Sequence, residues 1–392
     1  ALIQGYQGTD KNLAQPGRVI ATLKHFAGYG LSCAGRDYAA VEVSPATLMR
    51  IMEPFRAAIS EGAGAVMIAF SAINDVPATA NSILLQDVLR REFGFKGLVV
   101  TDFTAIDPEL INHGIAQDGP EAAYLAFKAG ITIDLVSGAF FRHLQALVSE
   151  GKSDPHARPF GPVTEQEITA RCRVVLEAKA RPGLFQDAFL GMQYVSSQQR
   201  VRLPEHVALA REAATKSIVL LKNDGVLPLK RGGTIAVIGP LSDDRINMQG
   251  TSATDVDPEL SVTILEGIIK SAGHTRILHA RGSNIVEDPN LVSRLNIHTP
   301  VTPSVTIDPR HPDSMIVEAK AKITQSDTVL LCLGEAKEHA GESSTRLDIG
   351  LPGSQRLLFN EVLRTTRQQG KPLILIVLAG RPLALSHETE AN

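Results

Sequence analysis

Short, nearly all-apolar runs alternate with amphipathic stretches along the first half of the chain. The runs at 18–26, 65–71, 97–103 and 132–136 have the length of strands. The stretches at 46–61, 83–93, 120–129, 140–149 and 165–180 repeat their apolar positions with helical spacing. The first of these has a clear start signal: Ser44 as N-cap, followed by Pro45, whose missing N–H costs nothing in the first turn. Strands that alternate with helices predict βαβ units and a parallel sheet. Strands this uniformly apolar predict a sheet covered on both faces. Polar residues gather where each strand ends: Lys24 and His25, then Ser71 and Asn74, then Thr101 and Asp102, then Asp134. In parallel α/β folds that edge is where ligands bind.

The periodicity lapses over 182–203, which reads as a linker. A second α/β series follows, with strands at 217–221, 234–239, 276–280, 328–334 and 373–379. Helices are expected at 205–216, 262–271, 314–323 and 354–369, and an irregular, Pro-rich stretch at 285–312. Gly370 suits the position just past the last helix.

Composition narrows the function classes. With 392 residues, 44% of them hydrophobic, the chain can build more than one core. Its 39 basic and 42 acidic residues give a net charge of −3, which offers no attraction for nucleic acid or an anionic membrane surface. No apolar run approaches the roughly 18 residues of a membrane span. Three scattered cysteines and 11 histidines without HxH or HExxH spacing point to neither a disulfide framework nor a metal site. Trp is absent altogether.

Three segments could carry chemistry. KHFAGYG, from Lys24 to Gly30, sets a cation beside an imidazole ahead of a glycine-rich loop. It reads either as a clamp for substrate hydroxyls or as a solvated Lys next to a backbone-bonded His. GLVVTDF delivers Asp102 from a buried strand, as a functional carboxylate or as a hydrogen-bond anchor for a neighbouring loop. The segment 334–349, GEAKEHAGESSTRLDI, holds Glu335, Glu338, Glu342, Arg346 and Asp348 among small residues. It is either a mobile source of a general acid or a solvated loop. IAVIGP at 235–240 has a single glycine, too few for a dinucleotide-binding turn.

Together these segments resemble family-three glycoside hydrolases of the multidomain β-glucosidase type. KHFAGYG and GRDY (35–38) are similar to that family's Lys-His strand and the loop after it. NDVPATANSILLQDVLRREFGFKGLVVTDF (74–103) is similar to its nucleophile segment, and AREAATKSIVLLKNDGVLPL (210–229) to the start of its second domain. GESSTRLDIGLPGSQ and LAGRPLAL resemble its acid/base loop and a later strand. The resemblance implies that Asp102 is the nucleophile and Glu342 the acid/base, with Glu335 as the second choice. It implies that Lys24, His25 and Arg36 contact the sugar, with Phe70 where many relatives have Tyr and Phe103 where they have Trp. A β-N-acetylglucosaminidase branch uses a His on this loop, where the present chain has Tyr29, which favours a Glu acid/base.

The implied fold is α/β: the C-terminal half of a (β/α)8 TIM barrel (strands five to eight, residues 1–181), a linker over 182–203, and an α/β sandwich domain over 204–392 that is C-terminally incomplete. A whole barrel takes about 250 residues, so the resemblance implies an internal piece of a longer enzyme. The implied reaction is retaining hydrolysis of terminal β-D-glucosyl residues by double displacement. It needs two carboxyl groups about 5–5.5 Å apart, one attacking and one protonating the leaving oxygen. A cation such as Lys24 would favour an ionised Asp102. The alternatives are a β-xylosidase or broad exo-β-glycosidase, or an inactive sugar-binding or structural fragment. No cofactor or metal is expected. The expected partners are a β-glucoside or oligosaccharide substrate and, for the open half barrel, a homo-oligomer or the missing segment. The implied location is periplasmic or secreted.

Overall fold

The computed structural model describes all residues other than 37, 155, 157, 191–201, 252, 254–256, 298–302, 343 and 392. The chain separates into two compact units, Ala1–Val207 and Ala208–Asn392. The division falls within the helix Pro204–Ser217, a helix with no buried residue and therefore no core to tie it to. Half of the expected linker, residues 191–201, lies outside the described residues. No described helix is long and apolar enough to cross a membrane.

In the first unit, β1 (Thr22–Phe26), β2 (Ala65–Ile68) and, past a short hairpin of β3 (Ala72–Ile73) with β4 (Val76–Pro77), β5 (Leu98–Val100) carry the framework. β1, β2 and β5 form a parallel sheet in the order β1-β2-β5. The run expected as a fourth strand contributes only a parallel bridge between Val100 and Ile133. The reason is local. The Thr132 hydroxyl accepts from Val99 N–H and donates to Val99 C=O, both at 2.8 Å, while Thr101 Oγ1 accepts from Leu135 N–H at 2.9 Å. Side-chain oxygens take positions that a regular ladder gives to backbone groups. Between β3 and β4, Asn74 and Asp75 both have positive φ, as a tight two-residue hairpin requires.

The expected helix at 46–61 is two helices, Pro45–Ile51 and Glu53–Ser60, broken at Met52. Pro54 explains the break, because its ring cannot follow a continuous helix. Ser44 caps the first, accepting from Thr47 N–H. The next helix, Ile83–Glu92, is wound in the wider π register and buries Leu84, Leu85 and Leu89. Those leucines join Val66, Ile68, Val99, Ile106 and Ile131 in one core.

The second unit contains β6 (Thr234–Ile238), β7 (Arg276–Ala280), β8 (Thr328–Gly334) and β9 (Leu373–Leu378), all parallel in the order β7-β6-β8-β9. Alternate side chains feed opposite faces. Ala236, Ile238, Val329 and Leu331 pack with Ala319, Leu358 and Phe359 from the helices Pro312–Thr324 and Gly353–Gln368. Val237, Leu330, Cys332 and Ile374 pack with Leu265 and Ile268 of the helix Ile264–Ser271. The single glycine of IAVIGP is structural: a Cβ at Gly239 would stand 2.0 Å from Cys332 O.

Two expectations fail here. The apolar run at 217–221 forms no strand, and Ile218, Val219, Leu220 and Leu221 are all exposed. An apolar run predicts burial only where a ladder partner exists. Conversely, the stretch read as irregular contains the helix Pro289–Leu295, capped by Asp288 with Pro289 in its first turn. That Asp-Pro start signal was present in the sequence.

Candidate active site

The polar residues at the C-terminal edge of the first sheet divide into two groups. Asn74, Thr101 and Asp134 serve the scaffold. The Asn74 side chain accepts from Val43 N–H and donates to Val43 C=O, both at 2.9 Å. Thr101, the residue after β5, is buried, and its hydroxyl accepts from Leu135 N–H of the irregular fourth strand. Asp134 accepts from the Ser137 hydroxyl and from Phe140 N–H, bracing the start of the helix Ala139–Ser153.

His25 and Asp102 form the second group. Asp102 follows β5 by two residues, and its side chain keeps 14% exposure. Its Oδ1 accepts from Phe103 N–H at 2.8 Å, and its Oδ2 lies 3.4 Å from His25 Nε2. The carboxylate is therefore oriented on one oxygen while the other meets an imidazole. Tyr29 packs edge-on against the His25 ring with centroids 5.1 Å apart. Phe70, at the end of β2, meets Tyr38 edge-on at 4.9 Å.

Lys24 is exposed, and among the described residues it forms no ion pair with Asp102. The basic group that reaches the carboxylate is its neighbour, His25. Arg36 is exposed, and Phe103 is 58% exposed.

In the second unit, Glu335 is the first residue after β8, and its side chain has no solvent exposure. Arg381 grips it with a fork, Nε to Oε2 at 3.0 Å and Nη2 to Oε1 at 2.8 Å, and Arg346 also donates to Oε1. Burial pushes its pKa upward, but the hydrogen bonds and charges of Arg381 and Arg346 more than offset this, holding it below the ordinary carboxylate value. Glu335 is thus a fixed anion that ties the end of β8 to Arg346 in the following loop and to Arg381 beyond β9. A group held deprotonated is poorly suited to donate a proton.

Glu342 lies further along the same loop and is exposed. The loop is pinned on both sides of it. Before Glu342, Lys337 N–H donates to Asn247 Oδ1 at 2.8 Å, and Ala336 N–H donates to Nδ1 of buried His339 at 3.0 Å. Burial drives the His339 pKa down to about 4, so the ring is neutral near pH 7. After Glu342, Ser344 donates to Glu338 C=O, and Asp348 pairs with Arg356 at 2.9 Å. Sequence reasoning missed Arg381 and His339 as organisers of this loop. Arg381 lies 46 residues from Glu335 along the chain, and no spacing signal joins them. Among the described residues, no group of three or more His, Cys, Asp or Glu side chains is placed to hold a metal ion.

Comparison with known proteins adds to this geometry. Residues 1–177 match the glycosyl hydrolase family 3 N terminal domain, and residues 218–392 match the family's C-terminal domain. The chain is 39% identical to a periplasmic beta-glucosidase of Salmonella typhimurium over 99% of its own length and 49% of the relative's. It is 32% identical to a beta-xylosidase of Formosa agariphila, covering 100% of this chain and 51% of the relative. Among solved structures, a beta-glucosidase from Listeria innocua in complex with isofagomine superposes with a TM-score of 0.85 at 28% identity, over 100% of this chain and 49% of that one. The chain spans about half the length of the relatives it matches.

Proposed function

The chain belongs to glycosyl hydrolase family 3, and from that premise we propose that it supplies both catalytic carboxyl groups of a retaining β-glycosidase acting on terminal β-D-glucosyl residues. Asp102 attacks the anomeric carbon, and Glu342 protonates the departing glycosidic oxygen. Glu342 then takes a proton from the water that releases the glycosyl-enzyme ester. In this reading β1, β2, β5 and the strand at Ile133 are strands five to eight of a (β/α)8 barrel.

The observation that carries the reading is Asp102 itself. A carboxylate at the C-terminal edge of a buried parallel strand, oriented by one backbone N–H and still open to solvent, is set for attack rather than for bracing a loop. Asn74, Thr101 and Asp134, at comparable places, have their side chains engaged by neighbouring backbone. Glu342 is preferred to Glu335 because an acid must carry its proton to the leaving group, and Arg381 and Arg346 hold Glu335 ionised. His25 is assigned to the sugar hydroxyls and to orienting Asp102; Lys24, Arg36, Phe70 and Phe103 are assigned to sugar contact.

The preference for glucosides follows the Salmonella relative, which also suggests a periplasmic location. The Formosa relative favours a second reading, a β-xylosidase. Turnover of chromogenic β-glucoside and β-xyloside by the chain decides between them through the ratio of kcat/KM. Asp102→Asn is expected to abolish turnover without loss of fold. With an activated substrate, azide is expected to rescue Glu342→Ala; rescue of Glu335→Ala instead would overturn the acid/base assignment. A folded sample that turns over neither substrate refutes the catalytic reading.

A further inference from the structure

The second unit contains a cleft of about 340 Å³ beside the carboxylate-rich loop, bounded by the first turn of the helix Gly353–Gln368 and by the helix Pro289–Leu295. That volume lies within the range of sites that hold small molecules. Its floor is formed by Val286, His339 and Pro352, all buried.

The imidazole on this floor has one nitrogen bonded to protein and one without a protein partner among the described residues. Because His339 Nδ1 accepts from Ala336 N–H, the ring proton sits on Nε2. Among the described residues nothing accepts from Nε2–H, although His339 is only 3% exposed and its ring lines the cleft. Nε2 is not sealed off from solvent, so its N–H is available to a ligand that enters the cleft. The Ser354 hydroxyl, half-buried on the same wall, donates to Asn284 C=O at 3.2 Å and so presents oxygen lone pairs to a donor from the cleft.

The charges select the class of ligand. Glu287, Asp288 and Asp348 line the exposed side, while Arg346 and Arg356 are the only cations in the lining among the described residues. Arg356 is matched by Asp348, and Arg346 shares Glu335 with Arg381. The three carboxylates of the lining outnumber its two guanidiniums, so its net charge disfavours an anion such as phosphate. A protonated amine could meet the carboxylates but not the floor, where His339 offers a donor. A hydroxyl both donates and accepts, so an array of hydroxyls suits acceptors at the rim and a donor at the floor. Val286, Leu291 and Pro352 offer apolar surface to the C–H face of a ring.

We propose that this cleft binds a neutral monosaccharide unit, with His339 Nε2–H donating to one hydroxyl and the Glu287 and Asp288 carboxylates accepting from others. The site uses neither Asp102 nor Glu342, so it stands apart from the catalytic reading.

The test is a titration of the whole chain with D-glucose, followed through the side-chain ¹H–¹⁵N signals of its histidines, with inorganic phosphate as a control. The His339 Nε2 signal is expected to shift saturably with glucose and to ignore phosphate. Leu291 is 38% exposed at the mouth of the cleft, so Leu291→Trp fills the opening without displacing the core. Circular dichroism checks its fold, and the midpoint should weaken by at least about tenfold. Glu287→Gln, on the exposed rim, should weaken it several-fold even if the larger substitution disturbs the fold. An unmoved His339 signal overturns the proposal, as does a shift driven by phosphate or one that both variants leave intact. β-Glucoside turnover, measured separately, fails or survives independently of this shift.

Discussion

Replacing Arg381 by Ala tests whether Glu335 is the electrostatic anchor of the second unit. Among the described residues three charge-assisted hydrogen bonds hold Glu335, and two of them come from Arg381. Each such bond contributes about 1.5–3 kcal/mol. Removing one partner of a buried pair costs about 3–5 kcal/mol, because the remaining charge is left without compensation. Glu335 has no exposure, but Arg346 remains and Arg381 is itself 22% exposed. The lower end applies, about 3 kcal/mol, or a fall in Tm of roughly 6–12 °C for a unit of this size. The chain has no Trp, so far-UV circular dichroism is the suitable probe. A double-mutant cycle of Arg381→Ala with Glu335→Ala isolates the pair and should give a coupling of about 3 kcal/mol. Arg381→Lys keeps the charge but loses the fork, and should fall between. Acid titration supplies an independent check. The folded pKa of Glu335 lies below its free value of 4.5. The unfolded chain therefore binds more protons in the window below pH 4.5, and the stabilisation, complete above it, is lost as pH falls through it. In Arg381→Ala this acid-linked loss should shrink. A coupling under about 1 kcal/mol, with an unchanged acid profile, would refute the anchor.

Three other perturbations have defined outcomes. His339, buried with a pKa lowered from 6.5 to about 4, makes the second unit's stability complete above pH 6.5 and declining as pH falls toward 4, by about 3 kcal/mol in total. His339→Asn should flatten that decline in chemical denaturation measured across pH. Asn74→Ala removes both hydrogen bonds to Val43 and puts Ala at φ 47°, a left-handed conformation that Asn tolerates better, costing about 1–2 kcal/mol by urea denaturation. Asn74→Gly keeps the turn geometry and should cost less. Thr132→Val leaves the buried Val99 N–H without its hydroxyl acceptor and should cost about 1–3 kcal/mol, with faster amide exchange at Val99 than at Val66.

Where the local sequence carried the physics, the elements were legible. Uniformly apolar runs and period-3.6 patterns, with caps such as Ser44-Pro45, marked β1, β2, β5 and most of the helices. Two misses had local signals that were passed over: Pro54, which splits 45–60 into two helices, and Asp288-Pro289, which starts one. The run at 217–221 is a different kind of miss. Apolar content records a preference for burial, whereas a strand also needs a hydrogen-bonding neighbour, and Ile218–Leu221 has no place in the sheet. Thr132 breaks the fourth strand through hydroxyl bonds that depend on Val99 standing opposite.

The sequence by itself determined that polar groups collect at the C-terminal edges of buried parallel strands, because strand polarity and apolar pattern are written in consecutive residues. It also supplied the ordered motifs that proposed Asp102 and Glu342. Only the tertiary structure decided which polar groups are scaffold and which are open to chemistry. It engaged Asn74, Thr101 and Asp134 with backbone, and it set His25 rather than Lys24 against Asp102. It closed Arg381 and Arg346 on Glu335. Apart from the local bonds of Asp134 and Arg346, those distinctions depend on hydrogen bonds and charges between residues 31 or more positions apart. Such interactions act over a few ångströms, and spacing along the chain carries no record of which distant groups folding brings that close.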